Sequence, residues 1–186
     1  MIGIKEFMQL QLLEQGQVLI LGEITGDTAR MVSEAFLALN AFQRHKEIKL
    51  LIDSGGGSVD AGLDIFDIIR TSDIPVRAVV QRRACSMAAV VLQACHVRTA
   101  YENAGIVFHD TTGTTSVTNS HAEIDKALEH GRQNQEKIFK ILAARMNKPM
   151  EEVKKFSRAE IRMTSYEAID WGLLDEVIQT IPIIPE

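Results

Sequence analysis

Val76-Arg77-Ala78-Val79-Val80-Gln81-Arg82-Arg83-Ala84-Cys85-Ser86-Met87-Ala88-Ala89 is the stretch whose reading decides the fold. The apolar run from Val76 to Val80 predicts a short buried strand, and Gln81-Arg82-Arg83 reads as a polar break. Ser86 then opens a helix-compatible run, Met87 to about Cys95. A serine at a strand–helix junction has two uses. As an N-cap, its hydroxyl satisfies free N–H groups of the first turn. As a nucleophile, it stands clear of the backbone, while the helix start supplies N–H groups and positive potential for an oxyanion. Position alone favours the cap. A glycine-rich turn upstream and a lone histidine after a strand downstream point to the nucleophile.

Outward from this stretch, strands alternate with helices. Residues 1–16 have the apolar spacing of an amphipathic helix. Val18 to Leu21 reads as a strand, and Asp27 or Thr28 as the cap of a helix carrying Met31, Val32, Ala35, Phe36 and Leu39. Ile48 to Ile52 reads as a buried strand, Asp53-Ser54-Gly55-Gly56-Gly57-Ser58 as a tight turn, and Leu63 to Ile69 as the next helix. Short strands are expected near Val97–Ala100, Gly105–Phe108 and Leu173–Ile178. Such alternation predicts an α/β fold with a parallel sheet and right-handed crossovers. Sites in these sheets lie beyond the carboxyl ends of the strands. The glycine turn, Ser86 and His109 all follow expected strands.

Composition narrows the function class. The 186 residues suit one domain with a proper core, here taken as residues 1–186. The net charge of −5, with no dense basic cluster, argues against nucleic acid as a partner. No stretch approaches the roughly 20 apolar residues that span a bilayer. The amino terminus lacks the apolar core of a signal peptide. Cys85 and Cys95 form neither a metal nor a disulfide pattern, so reduced thiols and a cytoplasmic location are expected. Cys85, beside Ser86, is a second candidate nucleophile, though a small buried filler is the commoner use.

After Asp110 the character changes. Thr111 to Thr118 is threonine-rich, and Asn119 or Ser120 is placed to cap a long helix through Arg145. The first half of that helix is polar, with Ile124 and Leu128 as its core-seeking residues; its second half carries Ile138, Phe139, Ile141, Leu142 and Met146. A helix so poor in apolar residues at one end projects into solvent or meets a partner.

The chemistry rests on three places. Gly55-Gly56-Gly57 lacks the Lys-Ser/Thr of a P-loop, but a bare glycine N–H can meet a developing oxyanion that a side chain would obstruct. His109, after Ile106-Val107-Phe108, is a candidate general base if it reaches the Ser86 hydroxyl and a carboxylate orients it.

These residues resemble the proteolytic subunit of the Clp protease family, from about Val18 to Val177. The family's Ser-Pro-Gly-Gly turn matches Ser54-Gly55-Gly56-Gly57, and its nucleophile box matches Cys85-Ser86-Met87-Ala88-Ala89. Its histidine segment matches Ile106-Val107-Phe108-His109-Asp110, and its carboxyl-terminal motif matches Glu167 to Asp175. The resemblance implies a crotonase-like ββα superhelix with a projecting handle, about residues 111–146, that pairs rings of seven subunits. It implies a serine endopeptidase acting on peptides or unfolded proteins inside an oligomeric chamber. Ser86 is then the nucleophile, His109 the base and Glu160 the acid, with the Gly57 and Met87 N–H groups as oxyanion hole. No cofactor or metal is implied. An ATPase unfoldase is the family's partner, but the amino-terminal segment that meets it is shorter here, which counts against that partnership.

The chain also departs from the family. Gly55 replaces proline, Asp110-Thr111 replaces Gln-Pro, and Ala159-Glu160 replaces Arg-Asp. Asp110, adjacent to His109, is the rival third member. Competing functions are an inactive ring subunit, which typically loses the serine or histidine, and a crotonase-type acyl-CoA enzyme, which uses no serine–histidine pair.

Overall fold

The structure, a computed structural model, describes residues 4–109 and 120–179. Its elements are α1 (Ile4–Glu14), β1 (Gln17–Ile24), α2 (Gly26–Phe42), β2 (Ile48–Gly57), α3 (Val59–Arg70), β3 (Val76–Cys85) and α4 (Met87–Leu92). There follow β4 (Val97–Tyr101), β5 (Gly105–Val107), α5 (His121–Met146), α6 (Met150–Arg158), β6 (Arg162–Thr164), α7 (Ser165–Asp170) and β7 (Glu176–Ile178).

The sheet runs β1-β2-β3-β4-β7 with all neighbours parallel, as the strand–helix alternation requires. The strand β3 has two partners in succession. Its first half, Arg77–Val80, pairs with β4; its second, Arg83–Cys85, pairs with β5. The polar residues Gln81-Arg82-Arg83 are therefore not a break. They lie where the strand passes from one neighbour to the other, half open to solvent, so polar side chains are accommodated. The strand β6 adds antiparallel to the far edge of β5.

Alternation along β2 decides which face is covered. Ile48, Leu50 and Ile52 are fully buried, while Lys49 is exposed and Leu51 half-buried. The covered face packs against Val32, Phe36, Ile65 and Ile69 of α2 and α3. Each such aliphatic side chain contributes about 1.5–3 kcal/mol on burial. The opposite face is less complete: Leu21 of β1 is 55% exposed, and Phe7, Met8 and Leu10 of α1 are exposed beside it.

Helix ends follow local chemistry, with one correction. Thr25, not Asp27 or Thr28, caps α2 by accepting from the Thr28 N–H at 3.3 Å. Ser58 caps α3 through the Ala61 N–H, and Ser120 with Glu123 forms a capping box at the start of α5. Asn119 lies outside the described residues, as does the threonine-rich stretch. The first half of α5 is exposed, Leu128 included, and its second half buries Ile138, Phe139 and Leu142. The helix α4 ends at Leu92, three residues short of Cys95, and the final strand begins at Glu176 rather than Leu173.

A buried cation holds the carboxyl-terminal region to the sheet. Arg98 on β4 is 6% exposed, donates to both oxygens of Asp175, and also bonds Gln93 Oε1 and the Gly172 carbonyl, each at 2.7 Å. Burial pushes the Asp175 carboxyl up, but hydrogen bonds from Arg98 outweigh it and hold the carboxyl below its ordinary value. Arg98→Ala is expected to lower unfolding stability by about 2–4 kcal/mol, discounted for the solvent that reaches Asp175. Because the folded-state value is depressed, this contribution is present above about pH 4 and lost as pH falls further. Denaturant unfolding of wild type and Arg98→Ala at pH 7 and pH 3 checks both statements: the gap between them should narrow in acid.

Candidate active site

Ser86 joins β3 to α4 in a conformation that side chains rarely adopt, φ 52° and ψ −126°. Such a backbone costs on the order of 1–3 kcal/mol and persists when its surroundings over-determine it. Here they do. The Ser86 N–H donates to the Val107 carbonyl at 2.7 Å, and the Ser86 carbonyl accepts from the Ala89 N–H at 3.0 Å. The Ser86 side chain makes no capping hydrogen bond. The serine sits at the N-cap position without doing an N-cap's work, so its hydroxyl is not committed to the helix.

The glycine stretch is not a turn but the end of β2, with Gly56 and Gly57 both at positive φ. Gly56 is the glycine of this stretch that lies against the serine. A Cβ there would stand 2.7 Å from Ser86 Cβ and 3.0 Å from the Met87 nitrogen, so any side chain would displace the junction. The Gly56 N–H is already used, donating to Ser54 Oγ at 3.0 Å. Gly57 lies against Ile24, and a Cβ there would overlap the Ile24 carbonyl. Gly55 is different: a Cβ would meet nothing closer than the Arg83 guanidinium at 3.7 Å, so this position accepts a side chain. Met87 is 2% exposed, and its side chain fills the space left by the missing Cβ of Gly62 on α3.

His109 is half-buried and follows β5 by two residues. The Ser86–Val107 hydrogen bond thus sets the serine beside the strand that delivers the histidine. On the other edge of β5, Val107 pairs with Arg162 in an antiparallel ladder. Glu160 precedes Arg162 by two residues, so the ladder, continued, runs His109 and Glu160 towards each other. Glu160 itself has φ 49°, a left-handed conformation unusual for glutamate. Its side chain is exposed and makes no hydrogen bond or ion pair with a described residue. Asp110, the rival carboxylate, lies outside the described residues.

The cysteines are poor nucleophiles. Burial pushes the Cys85 thiol up despite nearby arginines, and pushes Cys95 up to about 12. Among the described residues no group of three His, Cys, Asp or Glu side chains could hold a metal ion, and no helix is long and apolar enough to cross a membrane.

Sequence reasoning assigned roles to Ser86, Met87, Gly57, His109 and Glu160; it singled out the turn that holds Ser54 and Gly56 without separating their parts, and gave Gly62 no role. Their roles are steric or through the backbone. The signals that could have found them were the run of three glycines after Ser54 and a helix-interior glycine at Gly62, since glycine in a helix costs about 1 kcal/mol unless something needs the space.

A serine lifted clear at a strand–helix junction, over a glycine floor and beside a histidine-bearing strand, is an arrangement suited to acyl transfer. The family model of the Clp protease matches residues 5–181, nearly the whole chain, and the chain belongs to that family. It is a peptidase of the Clp type on an α/β, crotonase-like fold. Among curated proteins it is 32% identical over 171 residues to an ATP-dependent Clp protease proteolytic subunit of Ligilactobacillus salivarius (strain UCC118), an alignment covering 91% of this chain and 86% of that protein.

Proposed function

We propose that the chain is a serine endopeptidase in which Ser86 attacks the peptide carbonyl, His109 takes the hydroxyl proton, and Glu160 orients the histidine. The strained, uncapped Ser86 carries this reading. The Ser86 oxygen forms the acyl bond, and His109 passes the proton to the departing amine; a water then releases the acid by the reverse use of the same base. The oxyanion is met by the N–H groups of Met87, at the start of α4, and Gly57. Two observations support that pair: the Gly56 N–H is occupied by Ser54, and Met87 is held rigidly by Gly62. Reaction of Ser86 with a fluorophosphonate probe, located by peptide mass mapping, tests the reading. Labelling elsewhere, or none, overturns it.

We also propose that the chain works as an oligomer that encloses its substrate, of stacked rings joined through the handle. The exposed first half of α5 supports this, as does the incomplete face of the sheet, where Met8, Leu12, Leu19, Leu21 and Met31 line a groove of about 640 Å³. Native mass spectrometry at micromolar concentration and moderate salt is expected to show a multiple of the chain mass. A monomer under those conditions contradicts the assembly.

A further inference from the structure

On the side of the site where α3 begins, two polar side chains of α5 converge on one oxygen of Asp60. Asp60 lies in the first turn of α3, three residues after Gly57, on the helix whose Gly62 seats Met87. Its Oδ1 accepts from Asn134 Nδ2 at 2.9 Å and meets His130 Nε2 at 2.9 Å, both from α5. A nitrogen that close to a carboxylate oxygen carries its proton, so His130 donates through Nε2. Asn134 Nδ2 therefore gives its hydrogen to the same oxygen, and its 3.0 Å approach to His130 is a packing contact. Asn134 is 4% exposed, a costly place for an amide unless its bond has a use.

The other oxygen of this carboxylate, Oδ2, makes no hydrogen bond with a described residue, and the Asp60 side chain is 67% exposed. Hydrogen bonding from His130, with a smaller share from Asn134 and the nearby Lys137, holds the Asp60 carboxyl below its ordinary value. The group is thus an ionised carboxylate with one oxygen anchored and one presented to solvent, in the first turn of α3 and three residues beyond Gly57.

We infer that Asp60 is a specificity-determining residue that accepts a cationic side chain, lysine or arginine, of the substrate close to the scissile bond. Asn134 and His130 are its positioning residues: they fix the rotamer so that Oδ2 faces the incoming peptide. This rests on the peptidase reading above. Lys137 draws on the same carboxylate, which limits the preference to a moderate one.

The test uses the full chain in its native assembly and matched internally quenched peptides that differ only in Lys, Leu or Glu beside the cleaved bond. Wild type is expected to cleave the Lys peptide about tenfold better in kcat/KM than the Leu peptide, the size of a hydrogen-bonded charge contact. Asp60→Asn should remove that preference, Asp60→Lys should turn it towards Glu, and Asp60→Glu should keep it. Fluorophosphonate labelling of Ser86 should be unchanged in all three, which also certifies the fold. Normal labelling with an unaltered Lys preference in Asp60→Asn, or no Lys preference in wild type, overturns the inference while leaving the peptidase reading standing. A wild type that neither labels nor cleaves overturns both.

Discussion

Replacing Ser86 by alanine should abolish peptide hydrolysis, by on the order of a million-fold, while leaving the fold and the assembly intact. The size follows from how the groups work. A base without a nucleophile, or an oxyanion hole without an acyl bond to form, gives little, so losing the hydroxyl removes the benefit of its partners too. The fold survives because what holds the junction is backbone: the Ser86 N–H on the Val107 carbonyl and the Ala89 N–H on the Ser86 carbonyl. Alanine keeps both, and it has the same Cβ that now packs against Gly56. The check is turnover of a fluorogenic peptide alongside circular dichroism and native mass. More than a few per cent of wild-type activity in a clean preparation would remove Ser86 as nucleophile. The protonated, half-buried Cys85 is a weak substitute.

The second large effect concerns the acid. Glu160→Gln is expected to lower turnover by roughly a thousand- to ten-thousand-fold, because an amide cannot hold the imidazole tautomer or stabilise the imidazolium. Glu160 occupies the left-handed position that ends α6, directly after its C-cap Ala159, at the turn into β6. Its carboxylate is exposed and makes no hydrogen bond with a described residue, so the proposed pairing with His109 is what this variant tests. Asp110→Asn is the control. Both variants should be assayed with the assembly state measured. A near wild-type Glu160→Gln in an intact assembly sinks the assignment, and a large loss in Asp110→Asn transfers the role there.

Much of the frame was legible in the chain itself. The apolar runs at Val76, Ile48 and Val18 became β3, β2 and the edge strand β1, because largely aliphatic stretches of four or five residues between breakers have few other destinations. What misled was polarity. Gln81-Arg82-Arg83 and Gly55–Gly57 read as interruptions, yet both are strand. A strand that changes partners has one side open along that length, and glycines at positive φ can stay in a ladder that a side chain could not join. The order Ser86, His109, Glu160 could be read from motifs, but the contacts that make Ser86 available could not. That Ser86 does not serve as an N-cap shows only as a missing hydrogen bond, which leaves no trace in composition. Asp60 lies 70 residues from His130 and 74 from Asn134, so no local pattern joins it to that pair on α5.

The middle position of β5 has a mechanical consequence. One edge of this three-residue strand carries the serine backbone through Val107, and the other meets β6, next to the proposed acid. Ser86 and His109 are thus mounted on adjoining rails, and Glu160, the proposed acid, hangs from the outer one; each of the two ladders of β5 has three pairs. The outer rail has β5 as its one strand neighbour among the described residues, so it can part without moving Ser86. The protein would then keep Ser86 beside the histidine-bearing strand and lose only the group proposed to orient His109.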